Sequence, residues 1–137
     1  MAERRISVFF YGLFMDVELL RSKGAEPHTH KTAMVAGFAL RIGQRATLVP
    51  HVNACSYGIL MQLTHREIES LYAEAGLNTY RPEGVLAQLA DGSLAPCLCY
   101  NLSDDVAVGS PNAEYAAKLR SLAGRLAFPA AYVESIR

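Results

Sequence analysis

The sequence predicts an α+β protein, a small mixed and mostly antiparallel β-barrel with helices packed around its outside. Three observations predict it. Short runs rich in β-branched and aromatic residues, punctuated by Gly, Pro and Asn, recur through the chain as strands joined by turns. Stretches of helical periodicity fall between and after them, giving the order β-α-β-β-β-α-β-β-α-α, a mixture that suits segregated helices on a largely antiparallel sheet. Finally, 51% of the 137 residues are apolar and only 19% are charged, against roughly 45–50% and about 25% in ordinary globular chains. A large fraction of the side chains is therefore destined for an interior.

Each element has a local reason. Ile6-Ser-Val-Phe-Phe-Tyr11 is nearly continuous in apolarity and stops at Gly12, which reads as a central strand buried on both faces. Asp16 offers an N-cap to a short helix over Val17 to Ser22 that ends near Gly24, and the polar His28-Thr-His30 reads as a loop. Three strands are expected next, over Thr32 to Ile42, Thr47 to Val49 and Tyr57 to Leu63. Thr64 followed by Glu67 forms a capping box, and Ile68, Leu71 and Ala75 fall on one helical face before Gly76 ends the helix. Pro82 to Ala90 and Leu94 to Leu102 flank Asp91-Gly92, a strong hairpin signal. Asn112 caps a longer helix with Tyr115, Leu119, Leu122 and Leu126 at helical spacing, and Pro129 introduces a short terminal helix over Ala130 to Ile136.

Thirteen Lys and Arg balance thirteen Asp and Glu, with no basic run beyond Arg4-Arg5. Such a chain lacks the basic footprint that binds phosphate backbones, so nucleic acid is excluded as a partner. The longest uncharged apolar stretch, Ile6 to Met15, is about half the roughly 20 residues that cross a bilayer, so no membrane partner is expected either. That stretch imitates a signal peptide, but Glu3 precedes it, Asp16 and Glu18 follow it, and no small-x-small cleavage site appears. Three cysteines without a framework spacing suit reduced thiols in a cytoplasm. No repeat, linker or low-complexity tract divides the chain, which reads as one domain over residues 1–137.

Where chemistry could reside, each feature has a plain structural alternative. The junction Phe9-Phe-Tyr-Gly-Leu-Phe-Met15 runs a buried strand into a glycine and then a helix, a geometry whose backbone amides can cradle a carboxylate or phosphate; it can equally be an ordinary turn. Cys97-x-Cys99 puts two thiols on one face of a strand, but His28, His30, His51 and His65 match no zinc spacing, so neither metal nor cofactor is expected. Cys55 with His51 or His65 makes a nucleophile and base only in the sense that any such pair can. Glu67, Glu69 and Glu74 form a solvated helix face by charge pattern, and Arg41 and Arg45 bracket a turn at the surface. Among seven tyrosines, Tyr11, Tyr80, Tyr100 and Tyr115 stand at element ends, where they either converge on one pocket or simply pack.

Read together, these segments resemble the gamma-glutamylcyclotransferase-like family over most of the chain. Val8-Phe-Phe-Tyr-Gly-Leu-Phe-Met15 is similar to the family's opening strand ending in Tyr-Gly-Ser or Tyr-Gly-Thr. Gly37-Phe-Ala-Leu40, Ala46-Thr-Leu-Val-Pro50 and Tyr57-Gly-Ile-Leu60 resemble its next strands in order, and the helix ending at Gly76 followed by Tyr80-Arg81 resembles its Leu-Asp-x-x-Glu-Gly and Tyr-x-Arg region. Ser110-Pro111, Tyr115 and Phe128-Pro-Ala-Ala-Tyr132 are similar to its closing helix and tail.

The resemblance implies internal aminolysis of a small gamma-glutamyl amine or peptide, releasing 5-oxoproline. It implies a small-molecule substrate bearing a carboxylate, a cradle of Tyr11, Gly12, Leu13 and Phe14, further substrate contacts from Tyr80 and Tyr115, and a buried carboxylate as proton carrier. Two departures stand out. Leu13 replaces the cradle's Ser or Thr, and Ala75 stands where the family keeps its glutamate. In a regular helix Ala75 shares the face of Ile68 and Leu71 while the neighbouring Glu74 points about 100° away. Fraying of the last turn would swing Glu74 inward, which makes it the candidate catalytic residue; Glu83 and Asp91 are the other candidates. If no carboxylate replaces the missing one, the alternative is a non-catalytic ligand-binding domain of the same fold; a third reading has Leu13 and Phe14 adapting the pocket to an apolar substrate.

Overall fold

The computed structural model of the chain describes residues 3–103 and 110–137. Five strands, β1 (Arg5–Phe10), β2 (His28–Ile42), β3 (Ala46–Thr64), β4 (Arg81–Leu89) and β5 (Leu94–Asn101), close into a barrel in the order β1-β3-β2-β4-β5. Four of the five pairings are antiparallel, and the barrel closes where β1 meets β5 in parallel at Val8 and Leu98. Helices α1 (Val17–Ser22), α2 (His65–Tyr72), α3 (Ala113–Arg125) and α4 (Ala130–Ser135) lie around it. This is the mixed, mostly antiparallel barrel with peripheral helices that the residue pattern predicts. No helix among the described residues is long and apolar enough to cross a membrane.

The local signals act as their chemistry requires. Asp16 accepts from Glu18 N at 3.0 Å, Thr64 and Glu67 form both halves of a capping box, and Asn112 accepts from Tyr115 N at 3.1 Å. At the β4–β5 hairpin Asp91 accepts from both the amide and the hydroxyl of Ser93, while Gly92 takes a φ of +86° that other residues resist. The core is filled by β1, β3, α1, α2 and α3, through Val8, Phe9, Met61, Leu63, Leu20, Leu71 and Leu119. Gly58 of β3 sits so close to β1 that a Cβ there would fall 2.3 Å from Phe10 O and 2.6 Å from Phe9 Cζ. Only glycine admits that approach.

Four sequence expectations need correction. His28-Thr-His30 is the start of β2, not a loop: His28 pairs with Gln62 and Lys31 with Leu60 across an irregularity at Thr29, whose φ is +63°. Its side chains stay exposed, so composition alone reads as loop. The expected strands Thr47 to Val49 and Tyr57 to Leu63 belong to one long β3, and the apparent break between them is a register shift, with Ala36 opposite Cys55 and Phe38 opposite Pro50. Gly37, at φ +86°, stands alone against His51 to Ala54, and Val52 projects there 88% exposed. A 3-10 turn over Leu13–Met15, not foreseen, follows Gly12. Lastly, α2 stops at Tyr72, so Ala75 is exposed in a turn instead of sharing the buried face of Ile68 and Leu71.

Candidate functional site

A cavity of about 170 Å³ opens beside the end of β1. Its first wall is the chain as it leaves that strand, from Phe9 to Phe14. The 3-10 turn makes its own bonds from Met15 N to Gly12 O and from Asp16 N to Leu13 O, so the preceding amides of Leu13 and Phe14 have no partner within the turn. Leu13 N donates to Tyr115 Oη at 3.4 Å. Gly12 permits this closeness: a Cβ in its place would meet the Tyr115 hydroxyl at 2.7 Å. Its φ of −108° and ψ of −153° are extended, so space alone, not backbone conformation, demands glycine here.

The opposite wall is aromatic. Tyr72 lies flat against Tyr100, with ring centroids 4.2 Å apart and planes inclined by 14°, and its centroid is 5.9 Å from that of Phe14, in an edge-to-face pair, and 5.9 Å from that of Tyr80, at a tilt of 48°. Two tyrosine hydroxyls are spent on backbone carbonyls: Tyr11 donates to Tyr100 O at 2.7 Å, and Tyr80 donates to Ala46 O. These bonds tie β1 to β5, and the turn after α2 to the start of β3. Burial drives the phenols of Tyr11 and Tyr72 well above their ordinary range, and it raises Tyr80 and Tyr115 too, partly offset in both by the nearby Arg45 guanidinium. All four stay protonated at neutral pH. None can act as a base, and with Tyr11 and Tyr80 already donating to carbonyls, Tyr115, whose Oη accepts from Leu13 N, still has its own proton to offer a ligand.

The charged groups come from three elements. Once Tyr72 has been drawn into the aromatic stack, the chain turns through Leu77 N to Glu74 O and Tyr80 N to Leu77 O, with Gly76 at φ +85°. Those turns bring Glu74 to the cavity, where Lys23 at the end of α1 donates to its Oε1 at 2.6 Å. Glu74 is the one carboxylate among the described residues lining the cavity. Glu83 instead accepts from Asn101 Nδ2 at 2.9 Å on β4 and Asp91 caps the hairpin, so neither alternative carboxylate reaches the cavity. Arg45 completes the set from the β2–β3 turn.

The structure thus brings Tyr11, Gly12, Leu13, Phe14, Glu74, Tyr80 and Tyr115 around one cavity. The solvated-face reading of the α2 glutamates holds for Glu69 and for Glu74, whose side chain is 44% exposed, and fails for Glu67. Glu74 also lines the cavity, and Glu67 is engaged with Thr64 N, Glu26 N and Arg5. Arg45 is exposed at its turn, as the surface reading expects, and its side chain also lines the cavity. Lys23, Tyr72 and the part played by Arg45 have no signal in residue spacing; the seven tyrosines were the nearest hint of an aromatic pocket. Cys55 and His51 lie in the exposed stretch of β3 at the register shift, and no group of three or more potential metal ligands occurs among the described residues.

No protein-family model matches the chain, and no curated protein matches it significantly in sequence. Solved structures do. A gamma-glutamyl cyclotransferase superposes with a TM-score of 0.76 over 98% of this chain and 89% of its own, at 17% identity. A protein of Homo sapiens described as uncharacterized gives 0.79 over 98% and 89%, at 19% identity. An AIG2-like protein of Mus musculus gives 0.60 over 77% and 81%, at 14% identity. The chain has the gamma-glutamylcyclotransferase-like fold.

Proposed function

We propose that this chain belongs to the gamma-glutamylcyclotransferase-like family in function as well as in fold, and that it converts a small gamma-glutamyl amine or peptide to 5-oxoproline and the free amine. One observation carries the reading. A carboxylate, Glu74, faces the same cavity as the Tyr11-Gly12 turn and Tyr115, in a chain whose aligned position Ala75 offers none.

In this reading the substrate's α-ammonium gives a proton to Glu74, and the freed amine attacks the gamma-carbonyl carbon within the same molecule. The new C–N bond closes a five-membered ring. The bond to the leaving nitrogen then breaks as Glu74 returns the proton to it, and the second proton shed by the ring nitrogen passes to the departing amine, which leaves as its ammonium, so the carboxylate ends as it began. The cavity's part is to hold the two reacting ends together, since a well-oriented intramolecular attack avoids the entropic cost of assembling them. Tyr115 and the amides of Leu13 and Phe14 would donate to the substrate's oxygens, and the Tyr72–Tyr100 stack would wall off water on the other side. The three free thiols fit a reducing, cytoplasmic setting.

A specific observation favours a second reading, a binding domain without catalysis: Glu74 is already paired with Lys23 at 2.6 Å. A substrate ammonium must displace that lysine before the carboxylate can take its proton. Incubating the purified chain with a panel of gamma-glutamyl amino acids and amines, and assaying 5-oxoproline, decides between the two. Product from at least one member supports catalysis; ligand-induced stabilisation without product at high protein concentration supports the binding domain.

A further inference from the structure

Two cations line the cavity, and they differ in what they face. Lys23 is neutralised by Glu74, whereas Arg45 makes no ion pair among the described residues. With the tyrosines neutral, the described residues that line the cavity carry one positive charge beyond the Lys23–Glu74 pair.

The backbone at Arg45 is also held in place. The turn that carries it folds on itself through Gly43 N to Arg45 O at 3.0 Å. It is tied to the start of α3 by Asn112 N to Gly43 O at 2.8 Å, Gln44 Nε2 to Ser110 O at 3.2 Å and Asn112 Nδ2 to Gln44 O at 3.4 Å. The guanidinium then lies over Gly76, where a Cβ would come within 2.7 Å of Nη2 and 3.2 Å of Nε. Any side chain at position 76 would push the guanidinium away. The same turn presents Glu74, two residues earlier, to the cavity. A planar fork of donors and a carboxylate therefore approach one small space from neighbouring segments, the arrangement that recognises a carboxylate beside an ammonium.

We propose that Arg45 is the specificity-determining residue of this cavity, holding the carboxylate of an α-amino-acid headgroup and so turning its ammonium toward Glu74. This deepens the cyclotransferase reading and rests on it for the identity of the headgroup. A neutral headgroup leaves the guanidinium unpaired at the cavity mouth and is bound less well.

The test compares wild type, Arg45→Ala and Arg45→Lys, with thermal unfolding confirming that each is folded. Two probes are titrated by NMR or calorimetry: 5-oxoproline, which carries the carboxylate, and 5-oxoprolinamide, which is neutral. Wild type is expected to prefer the acid, and Arg45→Ala to weaken the acid by roughly 10–100-fold, the loss of a charge-assisted hydrogen bond, while changing the amide about two-fold or less. Arg45→Lys keeps the charge without the fork and is expected to fall between them. Equal binding of the acid by wild type and Arg45→Ala, or no preference for acid over amide in wild type, overturns the assignment. The two proposals fail separately. Arg45-dependent binding without 5-oxoproline production from any panel member overturns the reaction and keeps Arg45; production at wild-type kcat/KM by Arg45→Ala does the reverse; and a wild type that binds neither probe and makes no product overturns both.

Discussion

Replacing Gly12 by alanine tests the geometry of the cavity wall most directly. The added methyl would stand 2.7 Å from Tyr115 Oη, where ordinary contact begins at about 3.4 Å, and 3.9 Å from Ala46 Cβ, which is comfortable. The Tyr115 hydroxyl must therefore retreat by about 0.7 Å, and its bond from Leu13 N, already 3.4 Å long, is lost. That bond contributes roughly 0.5–1.5 kcal/mol, and forcing a packed ring aside costs about 1–3 kcal/mol, toward the lower end because only a side-chain tip yields. A destabilisation of about 2 kcal/mol is expected from urea unfolding. If the hydroxyl is the obstacle, the same substitution in a Tyr115→Phe background costs about 0.5 kcal/mol or less, a coupling of about 1–2 kcal/mol in the double-mutant cycle. Equal costs in the two backgrounds would refute the reasoning, since the clash would then lie elsewhere.

Glu74→Gln is expected to lower 5-oxoproline formation by about 10²–10⁴-fold while shifting unfolding free energy by no more than about 1 kcal/mol, because its partner Lys23 sits at a partly solvated ion pair; a variant that keeps wild-type kcat removes Glu74 from the chemistry. For Glu67, burial alone would raise the carboxyl, but hydrogen bonds from Glu26 N, Thr64 N and the Thr64 side chain, with Arg5 beside it, leave it below its ordinary value. A carboxyl lowered by folding stabilises the protein above its unfolded value and loses that contribution as pH falls through the folded one. Glu67→Gln should therefore cost stability at pH 7 and flatten the decline below about pH 4.5, as unfolding free energies from pH 7 to pH 2 will reveal. Cys97 and Cys99 are buried, their thiols raised by burial to about 11 and about 12, while Cys55 is exposed; a thiol reagent at pH 8 should label one cysteine in the native chain and three after unfolding, counted by mass.

What the sequence made legible was local. The caps at Asp16, Thr64 and Asn112 and the hairpin at Asp91-Gly92 form from contacts a few residues apart, so the strands and helices they bound begin and end near where their chemistry says. What it hid was decided by distant partners. The continuity of β3 across Pro50 to Ser56 depends on β2 absorbing the excess at Gly37, and the end of α2 depends on Tyr72 meeting Tyr100 from another strand. That second contact bears directly on the site, because the helical geometry that turned Glu74 away from the interior ceases to apply one residue after Tyr72. Arg45 read as a surface charge and Lys23 drew no reading for the same reason: a charge gains its role from what faces it, and a chain laid out in a line carries no record of that.

The parallel meeting of β1 and β5 also governs the order in which the protein can assemble. Val8 finds Leu98, and Tyr11 finds the carbonyl of Tyr100, across about ninety residues of intervening chain. The hairpins β2–β3 and β4–β5 can form from neighbours, but the seam waits for the fifth strand, and contacts of such long separation slow folding. Until then one side of β1 and one side of β5 present unpaired backbone, a template for a second molecule. During synthesis on the ribosome, the interval between emergence of β1 and emergence of β5 is the period in which this barrel is most exposed to misassociation, and sealing the seam ends that exposure, leaving Tyr115 of α3 to complete the cavity.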